Sequence, residues 1–173
     1  LPEMTGHHPL SPVVDENAAD WLWNRLNFVS RGAGPSRQAL VLSRSGDPLG
    51  WYIYQWKPGR IARVSQIVSQ PDAQAEVYGH LVRTLRQSNI PGAIGRLQPE
   101  FLEVLSDAGC LFRRRSRRVL VHSRDTDLLD VFESGRAFLS LLDGEGAVQL
   151  WNDPVDALRL AAASQPERFA VAT

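Results

Sequence analysis

Leu49-Gly50-Trp51-Tyr52-Ile53-Tyr54-Gln55-Trp56 and Ile61-Ala62-Arg63-Val64-Ser65-Gln66-Ile67-Val68-Ser69 flank the turn Lys57-Pro58-Gly59-Arg60, and Gln70-Pro71-Asp72 follows. Both runs alternate with the two-residue period of a strand. The first sets Trp51, Ile53 and Gln55 against Tyr52, Tyr54 and Trp56, so aromatic rings fall on both faces. The second sets Ile61, Arg63, Ser65 and Ile67 against Ala62, Val64, Gln66 and Val68. Pro and Gly occupy the central turn positions they favour. Upstream, Gln38–Arg44 is a third strand-like run, closed by the turn Ser45-Gly46-Asp47-Pro48. The three runs predict an antiparallel meander.

The period then changes. Val77, Tyr78, Leu81, Val82 and Leu85 recur at helical spacing, which predicts a helix of about 17 residues opening at Pro71-Asp72 and ending near Asn89. Gly92–Leu97 reads as a short strand, reached by a right-handed crossover. Pro99 opens a further helix through Asp107, with Gly109 just past its end, where a left-handed residue closes a helix. Leu111–Arg114 and Val119–His122 read as a hairpin, Asp125–Glu133 as a short helix, Asp143–Gly146 as a turn and Asp153–Ala163 as a last helix. Ahead of the strands, Asp15 caps a helix carrying Ala18, Ala19, Leu22, Leu26 and Val29. Residues 1–14 read as an irregular lead-in with a short strand near Pro12–Val14. The order predicts an α+β (mixed α/β) fold with an antiparallel-dominated central sheet flanked by helices.

The chain has 173 residues, 43% hydrophobic and 22% charged, with 19 basic and 19 acidic side chains. No run approaches the roughly 18 apolar residues of a membrane span. Cys110 is the single cysteine, which excludes a disulfide scaffold and a Cys-rich zinc site and makes a reducing, cytoplasmic setting the expectation. The chain opens on Leu1 without a charged-then-apolar leader, as expected of a segment of a longer protein. The zero net charge hides a distribution. Residues 31–124 carry 15 basic against 6 acidic side chains, a net +9, while residues 1–30 carry −3 and residues 125–173 carry −6. A basic middle suits an anionic ligand, but an acidic tail packed beside it is the favoured reading.

Several residues invite a chemical reading. Arg113, Arg114, Arg115, Arg117 and Arg118 form a basic run, but Phe112 is its only aromatic neighbour. On a hairpin half of the run would point away from any one ligand. A solvated hairpin is therefore the expectation, and nucleic acid the least favoured partner. His7 and His8 fall in a loose terminus, and no further ligands stand at metal-site spacing. His80 and His122 read as structural histidines, and Cys110 as a buried apolar thiol. No nucleophile elbow or P-loop is present.

The hairpin Val41-Leu42-Ser43-Arg44, then Gly46-Asp47-Pro48-Leu49-Gly50-Trp51-Tyr52, resembles that of the GCN5-related N-acetyltransferase (GNAT) superfamily, with its "Gly-x-x-x-Gly-aromatic" pattern ahead of the cofactor strand. The element order agrees from Gln38 to about residue 123. Ile61–Ser69 would be the cofactor strand, Pro71–Leu85 the helix after it, and Asp107-Ala108-Gly109-Cys110 the end of the later helix. The chain then divides into a lead-in and helix (1–37), a GNAT-like core (38–123) and an acidic extension packed on it (124–173).

The resemblance implies an acyl-CoA-dependent N-acyltransferase, with acetyl-CoA or another acyl-CoA as co-substrate and an amine as acceptor. The alternative is a non-catalytic domain of the same fold, for ligand sensing or protein contact. It implies a pantetheine arm between two splayed strands and a pyrophosphate on the following helix N-terminus. Val68 would supply the strand amide, and Gln70, Ala73, Gln74, Ala75 and Glu76 would hold the phosphates. With Gln74 at the family's Arg/Gln position, Val77 stands where its first glycine belongs and Gly79 on the second. Leu105 stands near the family's thiolate-protonating Tyr, so the resemblance carries over no catalytic acid, and it marks no base. It also leaves room for a tandem acyltransferase-like half, as in the FemAB-like relatives, or for a homodimer.

Overall fold

The computed structural model describes residues 2–6, 8–29, 34–113, 121–140 and 142. Among these residues four strands form one sheet in the order β1 (Ser36–Leu42), β2 (Pro48–Gln55), β3 (Ala62–Ser69) and β4 (Ala93–Gly95). The first three pair antiparallel, and β4 lies parallel to β3 after the crossover through α3 (Gln74–Gln87). This is the expected α+β fold. Helix α1 (Pro2–Thr5) lies in the lead-in, α2 (Glu16–Val29) before the sheet, and α5 (Thr126–Glu133) after it. A 3₁₀ turn at Pro99–Phe101 leads directly into α4 (Leu102–Asp107).

Two of the helix starts are set by side-chain caps. Asp15 accepts from the Ala18 amide at 2.7 Å, and Asp125 from the Asp127 amide at 3.0 Å, each satisfying a donor that the helix leaves free. Gly109, at φ +68°, takes the left-handed turn that ends α4.

The strand faces hold a correction. Opposite β2 the register jumps from Ile53↔Gln66 to Tyr54↔Val64, so Ser65 is an extra residue, a β-bulge. A one-residue slip reverses every later side chain. Strict alternation places Ile67 with Arg63; instead Ile67 joins Ala62 and Val64 in the core under α3. Val68 turns to the other face, against Met4 and Phe138, and Gln66 accepts from Trp51 Nε1 at 2.9 Å. Buried Gln55 serves as the bulge's polar partner, its Oε1 accepting from Ser65 Oγ at 2.8 Å.

Other differences are local. The lead-in carries α1 rather than a strand at Pro12–Val14, and Leu10 forms an isolated parallel bridge with Ala137. Pro71-Asp72 is a turn, and α3 starts at Gln74. The strand expected over Gly92–Leu97 is three residues long. Residues 111–113 and 121–123 are not strands, and the rest of the expected hairpin, with Arg114–Arg118, lies outside the described residues. So do the turn at 143–146 and the helix at 153–163. No described helix is long and apolar enough to cross a membrane.

Tyr52, Val77, Leu81, Leu85 and Phe101 fill the core between the sheet and α3. Gly50 sets how closely these layers meet. A Cβ there would stand 2.2 Å from Val68 O, 2.7 Å from Val77 Cγ2 and 2.9 Å from Ser69 Cα. Gly50→Ala is therefore expected to cost about 1–3 kcal/mol, because backbone cannot yield as a side-chain tip can. A urea midpoint equal to wild type would contradict this packing. Ser65→Ala is expected to cost a similar amount, about 1–3 kcal/mol, by leaving buried Gln55 Oε1 without its donor. The double variant Ser65→Ala/Gln55→Leu should recover part of the loss in the same titration.

Candidate functional site

β4 pairs with β3 only at Ala62↔Ala93, Arg63↔Ile94 and Val64↔Gly95, and the bulge at Ser65 follows at once. Among the described residues no strand pairs with that edge of β3 from Ser65 to Ser69. The Gln70 amide donates to Leu49 O at 2.7 Å. Antiparallel alternation then directs the Val68 amide toward Trp51 of β2, and those of Ile67 and Ser69 toward the open edge.

The loop beyond β3 closes tightly. The Ala73 amide donates to Gln70 O at 3.1 Å, and Asp72 takes a left-handed φ of +66°. Ala73, buried, is the N-cap of α3, and no side chain caps the helix. The Val77 amide donates to Ala73 O at 3.1 Å. The first-turn amides of Gln74, Ala75 and Glu76 are the donors that a helix leaves unpaired, at its positive dipole end. Gln74 is half-buried, whereas Ala75 and Glu76 are exposed. Gln70, Ala73, Gln74, Ala75 and Glu76 thus come together around one helix start, one turn from the end of β3. Asp72 and Glu76 bring negative charge to the same place.

Ser69 adds a feature that sequence reasoning passed over. It pairs with Gly50 in the register, and its Oγ is buried with no hydrogen-bond partner among the described residues. A buried unpaired hydroxyl costs about 1–3 kcal/mol unless something meets it. A small polar residue at the end of a strand gives no such signal in a sequence.

A second group was also missed. His8 is not in a loose tail: its ring lies 5.2 Å from the Phe138 ring, and its Nε2 is 3.7 Å from Glu100 Oε1. Phe138 packs in turn on Val68. Buried Gln98 donates through Nε2 to Leu139 O at 3.0 Å, and the Phe138 amide donates to Leu10 O at 2.8 Å. Three segments far apart in sequence thereby hold His8 and Glu100 together beside the open part of β3. Only long-range pairing creates this group, so no local motif announces it. His7 lies outside the described residues.

Of the aromatic residues on β2, Tyr52 and Tyr54 are core and Trp51 faces Val68. The Tyr52 hydroxyl meets His80 Nδ1 at 2.9 Å and Thr84 Oγ1 at 2.8 Å, which makes His80 structural, as expected. Burial raises the Tyr52 pKa. Cys110 is half-buried rather than enclosed in apolar surroundings, and its Sγ lies 3.3 Å from the Tyr78 hydroxyl. Burial, and then this hydrogen bond, push Tyr78 up to about 12. Among the described residues no group of three His, Cys, Asp or Glu could hold a metal.

No family model matches the chain, and no curated protein matches it. Three solved structures resemble it. A Trypanosoma brucei acetyltransferase shares 18% identity over 69% of this chain and 89% of its own, with a TM-score of 0.44. The Thermus thermophilus protein TTHA1254 shares 19% identity over 61% of this chain and 95% of its own, with a TM-score of 0.36. A point mutant of that protein gives 19% identity, 59% and 81% coverage, and a TM-score of 0.38.

The tyrosine titration tests the contact between α3 and the turn that follows α4. The folded chain holds the Tyr78 proton above the ordinary value of 10.0, so the stability this contributes is present below pH 10 and is lost as pH rises to about 12. Tyrosinate absorbance should show a late step near that pH. In Cys110→Ala the step should move down without reaching 10, because burial remains. An unmoved step would contradict the Tyr78–Cys110 contact.

Proposed function

We propose that this chain binds an acyl-CoA and transfers its acyl group to an amine. One observation carries the reading: β4 leaves β3 after Val64, so that the outward amides of Ile67 and Ser69 and the uncapped start of α3 border one opening. A pantetheine arm is an extended chain with two amides, which can pair with a strand edge as a further strand would. A pyrophosphate suits the free amides of Gln74, Ala75 and Glu76, and the buried Ser69 hydroxyl is a donor at the same end of β3.

In this arrangement the outward amides of β3 serve in place of the Val68 amide, which faces β2. They orient the thioester and polarise its carbonyl, stabilising the charge that develops as an amine attacks. Leu105 stands where the resemblance would put the tyrosine that protonates the departing thiolate, so in this reading solvent supplies that proton. The basic residues of the 31–124 segment add a favourable field for an anion, which Asp72 and Glu76 offset locally. Those two carboxylates and the absence of that tyrosine favour the second reading, a non-catalytic domain that binds an acyl-CoA as a signal or contacts another protein. Turnover separates the two readings.

Calorimetry with acetyl-CoA is the direct test. Binding is expected, and Ala75→Glu, which adds bulk and charge beside the first-turn amides, should weaken it at least tenfold. Unchanged affinity in that variant would mean that the phosphates lie elsewhere. No binding at millimolar acetyl-CoA would remove the enzyme reading.

A further inference from the structure

The family resemblance marks no base for the acceptor amine, and the close His8–Glu100 pair has no part in the site above. The His8 and Glu100 side chains are only 12% and 18% exposed. A carboxylate kept from water and set against an imidazole is a common arrangement for moving a proton.

Its position is specific. Glu100 lies in the 3₁₀ turn that follows β4, on the β4 side of the opening. His8 reaches it from the N-terminal segment, stacked on Phe138, which covers Val68 near the end of β3. Through Phe138 and Val68 the pair is tied to the end of β3, the strand whose edge lies open. The Gln98 bond to Leu139 O and the Leu10↔Ala137 bridge fix both partners from behind.

We infer that Glu100 is the proton acceptor for the attacking amine and that His8 is its positioning residue. This assignment rests on the acyltransferase reading. As a primary amine attacks the thioester carbonyl carbon, a C–N bond forms and the C–S bond breaks. The nitrogen's proton passes to the Glu100 carboxylate, and CoA leaves as a thiolate that takes a proton from water. Glu100 then returns its proton to solvent. The His8 imidazole, its Nε2 3.7 Å from Oε1, positions the carboxylate by charge rather than by a hydrogen bond.

The experiment measures thiol release from acetyl-CoA with spermidine, lysine methyl ester, tyramine and water as acceptors, alongside calorimetric acetyl-CoA affinity and a thermal melt for each variant. Glu100→Gln should lower kcat by about 100-fold, the scale of a lost general base, with acetyl-CoA affinity within twofold of wild type. Glu100→Asp should recover part of the loss, which a merely structural role would not require. His8→Asn should lower kcat about tenfold and have no further effect in the Glu100→Gln background, as expected of two groups acting as a unit. Glu100→Gln turnover within threefold of wild type would overturn the assignment, as would a wild-type chain that binds acetyl-CoA but turns over none of these acceptors. A chain that binds no acetyl-CoA fails at the earlier step and removes the acyltransferase reading itself.

Discussion

The arrangement depends on the parting of β3 and β4. A parallel pair is normally held by evenly spaced bonds along its length. Here a bulge at Ser65 follows the third paired residue, and the ladder stops. The buried Ser65–Gln55 hydrogen bond anchors that bulge on β2, so the interruption is built into the sheet. Everything placed beyond it follows: the outward amides of Ile67 and Ser69, the turn at Gln70–Ala73, and the start of α3. Gly50 completes the constraint from below. With no side chain at that position, β2 lies close against the β3 backbone and the Val77 side chain of α3.

Much of the architecture was legible because it is written in local periods. The alternation of Leu49–Trp56 and Ile61–Ser69, the helical spacing from Val77 to Leu85, and the helix-end residues Asp15 and Gly109 each express a preference satisfied within a few residues. The faces of β3 were not legible beyond Ser65. A bulge is a property of two strands in register, and Ser-Gln reads in a single strand as ordinary alternation. The short reach of β4 has the same origin, since Gly92–Leu97 carries enough apolar residues for a longer strand and only its neighbour ends it.

The candidate site divides in the same way. The segment Gln70–Glu76 could be picked out because a helix start after a strand is a local feature. Which strand amides face outward depends on pairing parity, and parity turned attention from Val68 to Ile67 and Ser69. His8 and Glu100 were beyond reach, because they meet only after Phe138 and Gln98 have brought three distant segments together. The charge arithmetic has a similar lesson. A net charge of zero says little about a ligand when the basic residues concentrate in the segment that builds the sheet and α3.

The central claim is that one ligand touches both the open edge of β3 and the first turn of α3. Amide hydrogen exchange with and without coenzyme A tests it most directly. Slowed exchange at Ile67, Ser69, Gln74, Ala75 and Glu76 together, with little change in β1, is the result this account predicts. Exchange at these five amides that coenzyme A leaves unchanged, or protection confined to other segments, would contradict it.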